Sequence, residues 1–193
     1  MGYFDNEMNV EEYIKKTEGV DGRKLVEVLK RHLRKGSRVL ELGMGPGKDF
    51  EILSEFFQVT GSDNSKVFLE RYRKRNANAD LVLLDAVTMN IDRKFDCIYS
   101  NKVLHHLTKE ELKESLDGQL RVLNSKGILF HTFWYGDKEE EFPGLRVVYY
   151  TEEAFREIIG GEYKIVTSER YSEIERDDSI FFVLTRQFME FTS

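Results

Sequence analysis

The chain has 193 residues, 40% of them hydrophobic and 33% charged, which suits one soluble domain with a real core and leaves little for a second. A formal net charge of -6 gives no electrostatic reason to expect nucleic acid, whose phosphates call for cations. The one cysteine, Cys97, excludes an intramolecular disulfide framework and a cysteine-built zinc cluster. The start has no apolar signal core and no run of eighteen apolar residues occurs, so neither secretion nor membrane spanning is expected, and a reducing cytoplasm is the expected setting. The basic runs RYRKR (71–75) and KRHLRK (30–35) fall in helix-like stretches and read as solvated polar faces.

In chain order, Val10, Tyr13 and Ile14 mark a short amphipathic helix, and residues 1–20 are expected to form a helical lid on a single domain spanning 1–193. Leu25, Leu29 and Leu33 then recur every four residues, after Asp21 as an N-cap and before Gly36 as a stop. Short apolar runs at 37–42, 57–63, 80–85, 95–100 and 127–133 have strand length and alternate with helical spacing, an order that builds a parallel sheet wrapped by helices. Thr108 and Glu111 form a capping box, with Leu107 and Leu112 as its hydrophobic staple. Thr151 caps a further helix whose Phe155, Ile158 and Ile159 face inward until Gly160. After that, two strand-like runs joined by a charged turn around ERDD are expected to pair as an antiparallel hairpin.

The stretch LELGMGPGKD (40–49) sits between the first strand and a helix. Gly43, Gly45 and Gly47 let the chain turn and let a ligand approach the backbone, and free N–H groups at a helix start add polarity. The spacing is G-x-G-x-G, and Lys48 stands where a dinucleotide fingerprint wants a small residue. Glu41 disfavours a pyrophosphate, which prefers positive potential. Asp63 closes the second strand and Asp85 the third, each read either as a ligand acceptor (ribose hydroxyls for Asp63, an adenine amine for Asp85) or as a cap of the helix that follows.

VLELGMGPGKD, GSDNS, LLDA, FDCIYSNKVLHHL and LNSKGILFHTF resemble, in order and spacing, the signature of class I S-adenosylmethionine-dependent methyltransferases, in their broad small-molecule group, over residues 20 to 190. The resemblance implies an α/β, Rossmann-like, mostly parallel sheet of seven strands in order 3-2-1-4-5-7-6, the last antiparallel and helices on both faces. It also implies S-adenosyl-L-methionine as cofactor. Glu41, Gly43, Gly45 and Gly47 would surround its methionine part, with Met44 and Asn64 counted among the binding residues. By the same resemblance Asp63 takes the ribose, Asp85 and Ala86 the adenine, and Ser100 or Asn101 approaches the amino-acid end. Pro46 between the glycines departs from the pattern and removes one N–H donor.

Methyl transfer from a sulfonium needs mainly positioning and dryness, with a base only for a protonated acceptor. His105 and His106 are the candidate bases, or else a packed pair; adjacent histidines cannot share one helical face, so no metal is expected. The [DN]-P-P-[YFW] motif of resembling nucleic-acid and protein amino-methyltransferases is absent, which favours a small-molecule acceptor, with no nucleic-acid or membrane partner and a monomer or homodimer. Tyr13, His131, Trp134 and Tyr135 are the candidate substrate residues, the aromatics being equally readable as core. The alternatives are an NAD-linked oxidoreductase and a catalytically silent S-adenosylmethionine-binding regulator.

Overall fold

The computed structural model describes residues 3–187. A 3-10 turn at Tyr3–Asp5 precedes α1 (Glu7–Lys16), where the Asn6 side chain accepts from the Met8 amide at 2.8 Å. The next elements are α2 (Arg23–Leu29), β1 (Arg38–Leu42), α3 (Lys48–Ser54), β2 (Gln58–Asp63), α4 (Lys66–Arg75), β3 (Leu81–Leu83) and β4 (Phe95–Asn101). A second 3-10 turn at Leu104–His106 leads to α5 (Lys109–Val122) and β5 (Leu123–Trp134). The chain ends with β6 (Glu139–Phe142), β7 (Leu145–Val148), α6 (Glu152–Ile159), β8 (Tyr163–Tyr171) and β9 (Ser179–Arg186).

Seven strands form one sheet in the order β3-β2-β1-β4-β5-β9-β8. The pairs from β3 through β5 are parallel, and β9 runs antiparallel to both β5 and β8. With the separate β6–β7 pair set aside, this is the expected order 3-2-1-4-5-7-6 with its last strand reversed.

Period-two alternation divides the core between the two faces of the sheet. Ile180, Phe182 and Leu184 of β9 join Leu112, Leu116 and Phe155 of α5 and α6, whereas Phe181 and Val183 join Leu25, Leu29 and Leu53 of α2 and α3. Cys97 of β4 lies fully buried in the second of these clusters. Each helix docks because it presents apolar residues on one side only, the arrangement that makes burial rather than intrinsic propensity hold a short helix.

The capping box of α5 is formed as read: Thr108 Oγ1 accepts from the Glu111 amide at 3.1 Å and Glu111 Oε2 from the Thr108 amide at 2.8 Å. Thr151 caps α6, and Gly160 ends it at φ 55°. Three expectations need correction. The helix read through Leu33 ends at Leu29, because Arg31 and His32 switch to i→i−3 bonds and only Leu25, Val26 and Leu29 are fully sunk in the core. Asp21 does not cap it; the Gly22 amide goes to Asp49 instead, and Asp21 Oδ1 accepts from Arg23 in a local turn. The third strand stops at Leu83, since Asp85 turns the chain by accepting the Val87 amide at 2.7 Å.

The segment between β5 and α6 contains a hairpin that periodicity did not announce. Phe142 pairs with Leu145 across Pro143-Gly144, with Gly144 at φ 79°, which is the proline-then-glycine pattern of a type II turn. Among the described residues no helix is long and apolar enough to cross a membrane.

Candidate functional site

The carboxyl ends of β1, β2, β3 and β4 converge where the strand order reverses between β1 and β4, the place at which open α/β sheets bind ligands. A cavity of about 450 Å³ opens there, its floor including Gly43, Gly45, Asp63, Asn64, Asp85 and Ala86. Phe4 and Tyr13 of the N-terminal segment and Leu145 of the hairpin roof it over. A smaller recess of about 110 Å³ lies behind, walled by Glu41, Met44, Asp49, Asn101 and Glu173 among others. Tyr13, Gly43, Gly45 and Lys102 belong to both walls and mark the junction.

The loop after β1 turns through three glycines of positive φ, Gly43 at 63°, Gly45 at 50° and Gly47 at 86°. A Cβ on Gly43 would stand 2.6 Å from the Val103 methyls, so the loop and the chain after β4 touch only because no side chain intervenes. Gly47 does not face the cavity: its α-carbon is pressed on the Tyr72 ring, and its role is structural. Met44 is likewise a core residue, packed with Phe50, Leu69 and Tyr72 and reaching only the small recess.

The loop amides are not free as expected. Met44 donates to the Ser62 carbonyl at 2.8 Å, Gly45 to Asp63 Oδ2 at 2.9 Å and Gly47 to the Met44 carbonyl at 2.8 Å, so the turn is preformed. The ammonium of Lys48 donates to the carbonyls of Thr17 and Val20 at the end of the N-terminal segment, which ties the roof to the glycine loop.

Acids dominate the walls. Glu41 is 3% exposed and its Oε2 has no partner among the described residues; burial, then the charges of Asp49 and Asp63, hold its carboxyl well above the ordinary carboxylate range. Asp49 is fully engaged, its Oδ1 by the Gly22 amide at 2.7 Å and its Oδ2 by Tyr99 Oη at 2.7 Å and Asn101 Nδ2 at 3.0 Å. Asn101 Oδ1 accepts from Thr132 Oγ1, which accepts from the Lys102 amide. This chain of bonds fixes Lys102 at φ 55°, an uncommon conformation for a residue with a side chain.

Burial raises the Asp63 carboxyl, against amide donation from Ser65, Gly45 and Asn64. Asp85 faces the cavity and also accepts from the Val87 and Thr88 amides, which closes a turn and not the helix expected to follow it.

The histidines stand elsewhere than sequence alone would place them. His131 is fully buried, with Nδ1 2.8 Å from Ser100 Oγ and Nε2 2.8 Å from Gln119 Oε1, and burial pushes its pKa down to about 3. Neither His131 nor Ser100, itself 0% exposed, lines either recess, and both stand apart from the substrate and cofactor positions expected of them. His106 lines the cavity, while His105 is buried behind it. Trp134 lies under the Lys102 ammonium, 3.4 Å from its ring centroid, and Tyr135 under the Arg170 guanidinium; neither ring walls the recesses.

The candidate substrate-facing segments YFDNEMNVEEYIKK, NKVLHHL and FWYGDKEEEFPGLRVVYY contain Phe4, Lys102 and Leu145, which line the cavity, whereas Asp49, Val87 and Phe68, the last in an aromatic cluster with Phe4 and Tyr13, were not singled out. Leu145 had a signal in the Pro-Gly turn before it, and Lys102 in its place at the carboxyl end of a strand.

The strand order is that of the Rossmann-like class I methyltransferase fold, and residues 39–127 match the family described as a methyltransferase domain. The chain is 36% identical over 83 residues to a trans-aconitate 2-methyltransferase of Variovorax paradoxus (strain S110), a match that covers 41% of this chain and 32% of that one, about a third of the relative's length. Among solved structures, an S-adenosylmethionine-dependent methyltransferase from Clostridium acetobutylicum ATCC 824 superposes with a TM-score of 0.75 at 15% identity, covering 95% of this chain and 100% of that one. The Burkholderia thailandensis 1,6-didemethyltoxoflavin-N1-methyltransferase, solved with its acceptor and S-adenosylhomocysteine, gives 0.77 at 18% identity over 92% and 83% of the two chains. These likenesses establish the fold.

Proposed function

We propose that the chain transfers the methyl group of S-adenosylmethionine to a small-molecule acceptor. The observation that carries the reading is Glu41 Oε2, a buried carboxylate oxygen without a partner among the described residues, in the wall of the acid-lined recess. An unpaired buried carboxylate is costly, and a ligand ammonium removes that cost. S-adenosylmethionine carries a sulfonium and an ammonium against one carboxylate, so it suits walls built from Glu41, Asp49, Asp63 and Asp85. A dinucleotide pyrophosphate meets only repulsion there.

Asp63, already accepting one amide on each oxygen, keeps lone pairs for ribose hydroxyls. Ala86 and Val87, beside Asp85, offer an apolar edge to an adenine. The cofactor, when bound, supplies an activated methyl. The chain's own task is to orient the acceptor and exclude water, and we read residues 1–20 as a lid for that purpose, its first two residues lying outside those described.

Calorimetric titration with S-adenosylmethionine, S-adenosylhomocysteine and NAD tests the cofactor; NAD binding without the other two overturns the reading. Isotopic methyl transfer to a metabolite panel tests the reaction, and cofactor binding with no transfer to any metabolite makes the chain a silent binding protein.

A further inference from the structure

We infer that the acceptor is an apolar heteroaromatic base or aromatic amine, neutral near pH 7 and free of carboxylate, methylated on nitrogen. This rests on the methyltransferase reading above and concerns what the acceptor side of the cavity offers.

Consider first the cations. Among the described residues, only Lys48, Lys102 and His106 of the two walls can carry positive charge. Lys48 is held by the Thr17 and Val20 carbonyls. Lys102 has three ammonium protons and three partners: Ser179 Oγ at 2.6 Å, Glu173 Oε2 at 3.3 Å and the face of Trp134 at 3.4 Å. His106 Nδ1 lies 2.6 Å from the Arg146 carbonyl, which only accepts, so Nδ1 carries the proton and Nε2 the lone pair. Burial lowers the pKa of both His106 and His105, which keeps the pair neutral. No uncommitted cation faces the space an acceptor carboxylate would enter. A carboxylate there would be desolvated and unpaired.

The bases are committed too. His106 Nε2 is 3.1 Å from His105 Nε2; with the lone pair on His106, His105 must donate. The remaining lone pair, on His105 Nδ1, has no partner, but His105 is 3% exposed and stands off the cavity wall. No imidazole lone pair therefore points at an acceptor, and a hydroxyl, which must lose its proton as it attacks, finds no imidazole to take it.

A neutral nitrogen needs neither device. Its lone pair forms the new N–CH3 bond, the S–CH3 bond breaks with its electron pair passing to sulfur, and the nitrogen becomes cationic. A primary or secondary amine then releases its proton to solvent; a ring nitrogen keeps the charge. That charge develops beside the ring of Tyr13, which favours it. Val103, Leu107 and Leu145, with Tyr3, give the acceptor half apolar sides, which calls for an apolar body.

The test uses the full chain saturated with S-adenosylhomocysteine. Saturation-transfer NMR compares four probes of similar size, indoline and quinoline against phenylacetate and 2-phenylethanol, and labelled S-adenosylmethionine then reports which probes accept methyl. Binding of a nitrogen probe about tenfold tighter than phenylacetate, with label only on nitrogen, is expected. Equal or tighter binding of phenylacetate, label on an oxygen, or binding of neither nitrogen probe overturns the inference. Failure of S-adenosylhomocysteine to bind at all strikes instead at the methyltransferase reading.

Discussion

The backbone amide of Gly45 donates to Oδ2 of Asp63 at 2.9 Å, so the residue assigned to the cofactor ribose also holds the glycine loop in shape. Asp63→Ala therefore has two expected effects. Loss of the ribose acceptor weakens S-adenosylhomocysteine binding by about 3 kcal/mol, roughly a hundredfold, and the orphaned amide lowers unfolding free energy by about 1–3 kcal/mol. Calorimetry and urea melts on one preparation separate them; a lowered melt with unchanged affinity removes Asp63 from the ribose and leaves it the loop.

Glu41→Gln is expected to stabilise the ligand-free chain while weakening the cofactor. The Glu41 carboxyl has a folded-state pKa raised by burial and by Asp49 and Asp63. Its contribution to stability is thus fully present below the unfolded pKa and is lost as pH rises through the folded one. At pH 8 the Gln variant should melt about 2–4 °C above the parent, the shift of about 1 kcal/mol in a domain of this size, and at pH 4 the difference should vanish. The order reverses on adding S-adenosylmethionine, whose ammonium stabilises only the parent. Thermal melts at both pH values, with and without cofactor, check this.

His131 makes the fold acid-sensitive. Its folded pKa is pushed down to about 3 by burial, against about 6.5 when unfolded, so the unfolded chain takes the proton first. Stability is fully present above pH 6.5 and falls as pH drops toward 3, by up to about 1.4 kcal/mol per pH unit. His131→Gln should remove one proton's worth of that slope from urea-unfolding curves measured between pH 7 and 4. An unchanged slope would mean that His131 protonates without leaving the core.

Removing residues 1–18 takes away Phe4 and Tyr13 from the cavity and one of the two carbonyls that hold Lys48. The sheet and both its helical layers remain, so a folded chain is expected that binds S-adenosylhomocysteine within about tenfold of the parent and loses most turnover. Full turnover in the truncated chain would show that the segment takes no part in closing the site.

What the sequence disclosed was local. Strands at 38–42, 58–63 and 95–101 lie within a residue of the runs read for them, because half-buried strands and capped helices write their period into adjacent residues. Thr108, Glu111, Thr151 and Gly160 were legible for the same reason. The concealed features join residues far apart in the chain: Asp49 with Tyr99 and Asn101, Ser100 with His131, Lys102 with Glu173. No periodicity encodes which polar side chain will meet which, so nothing local marked Asp49 as the partner of Tyr99 and Asn101, or His131 as that of Ser100. The fifth strand begins at Leu123 rather than 127 because a register shift between Phe95 and Cys97 lets it pair directly off the end of α5.

Cys97 sits in the middle of β4, 0% exposed, its thiol made less acidic by burial and then by the Asp96 charge. Thiol reagents attack the thiolate, so this sulfur is inert while the strand stays paired. Being the only cysteine in the sequence, it turns the chain into its own unfolding gauge: the rate at which a chromogenic disulfide consumes one thiol measures how often the central strand opens. A cofactor that binds only the folded form will slow that colour change in proportion to its occupancy, which offers a ligand screen that needs no knowledge of the acceptor.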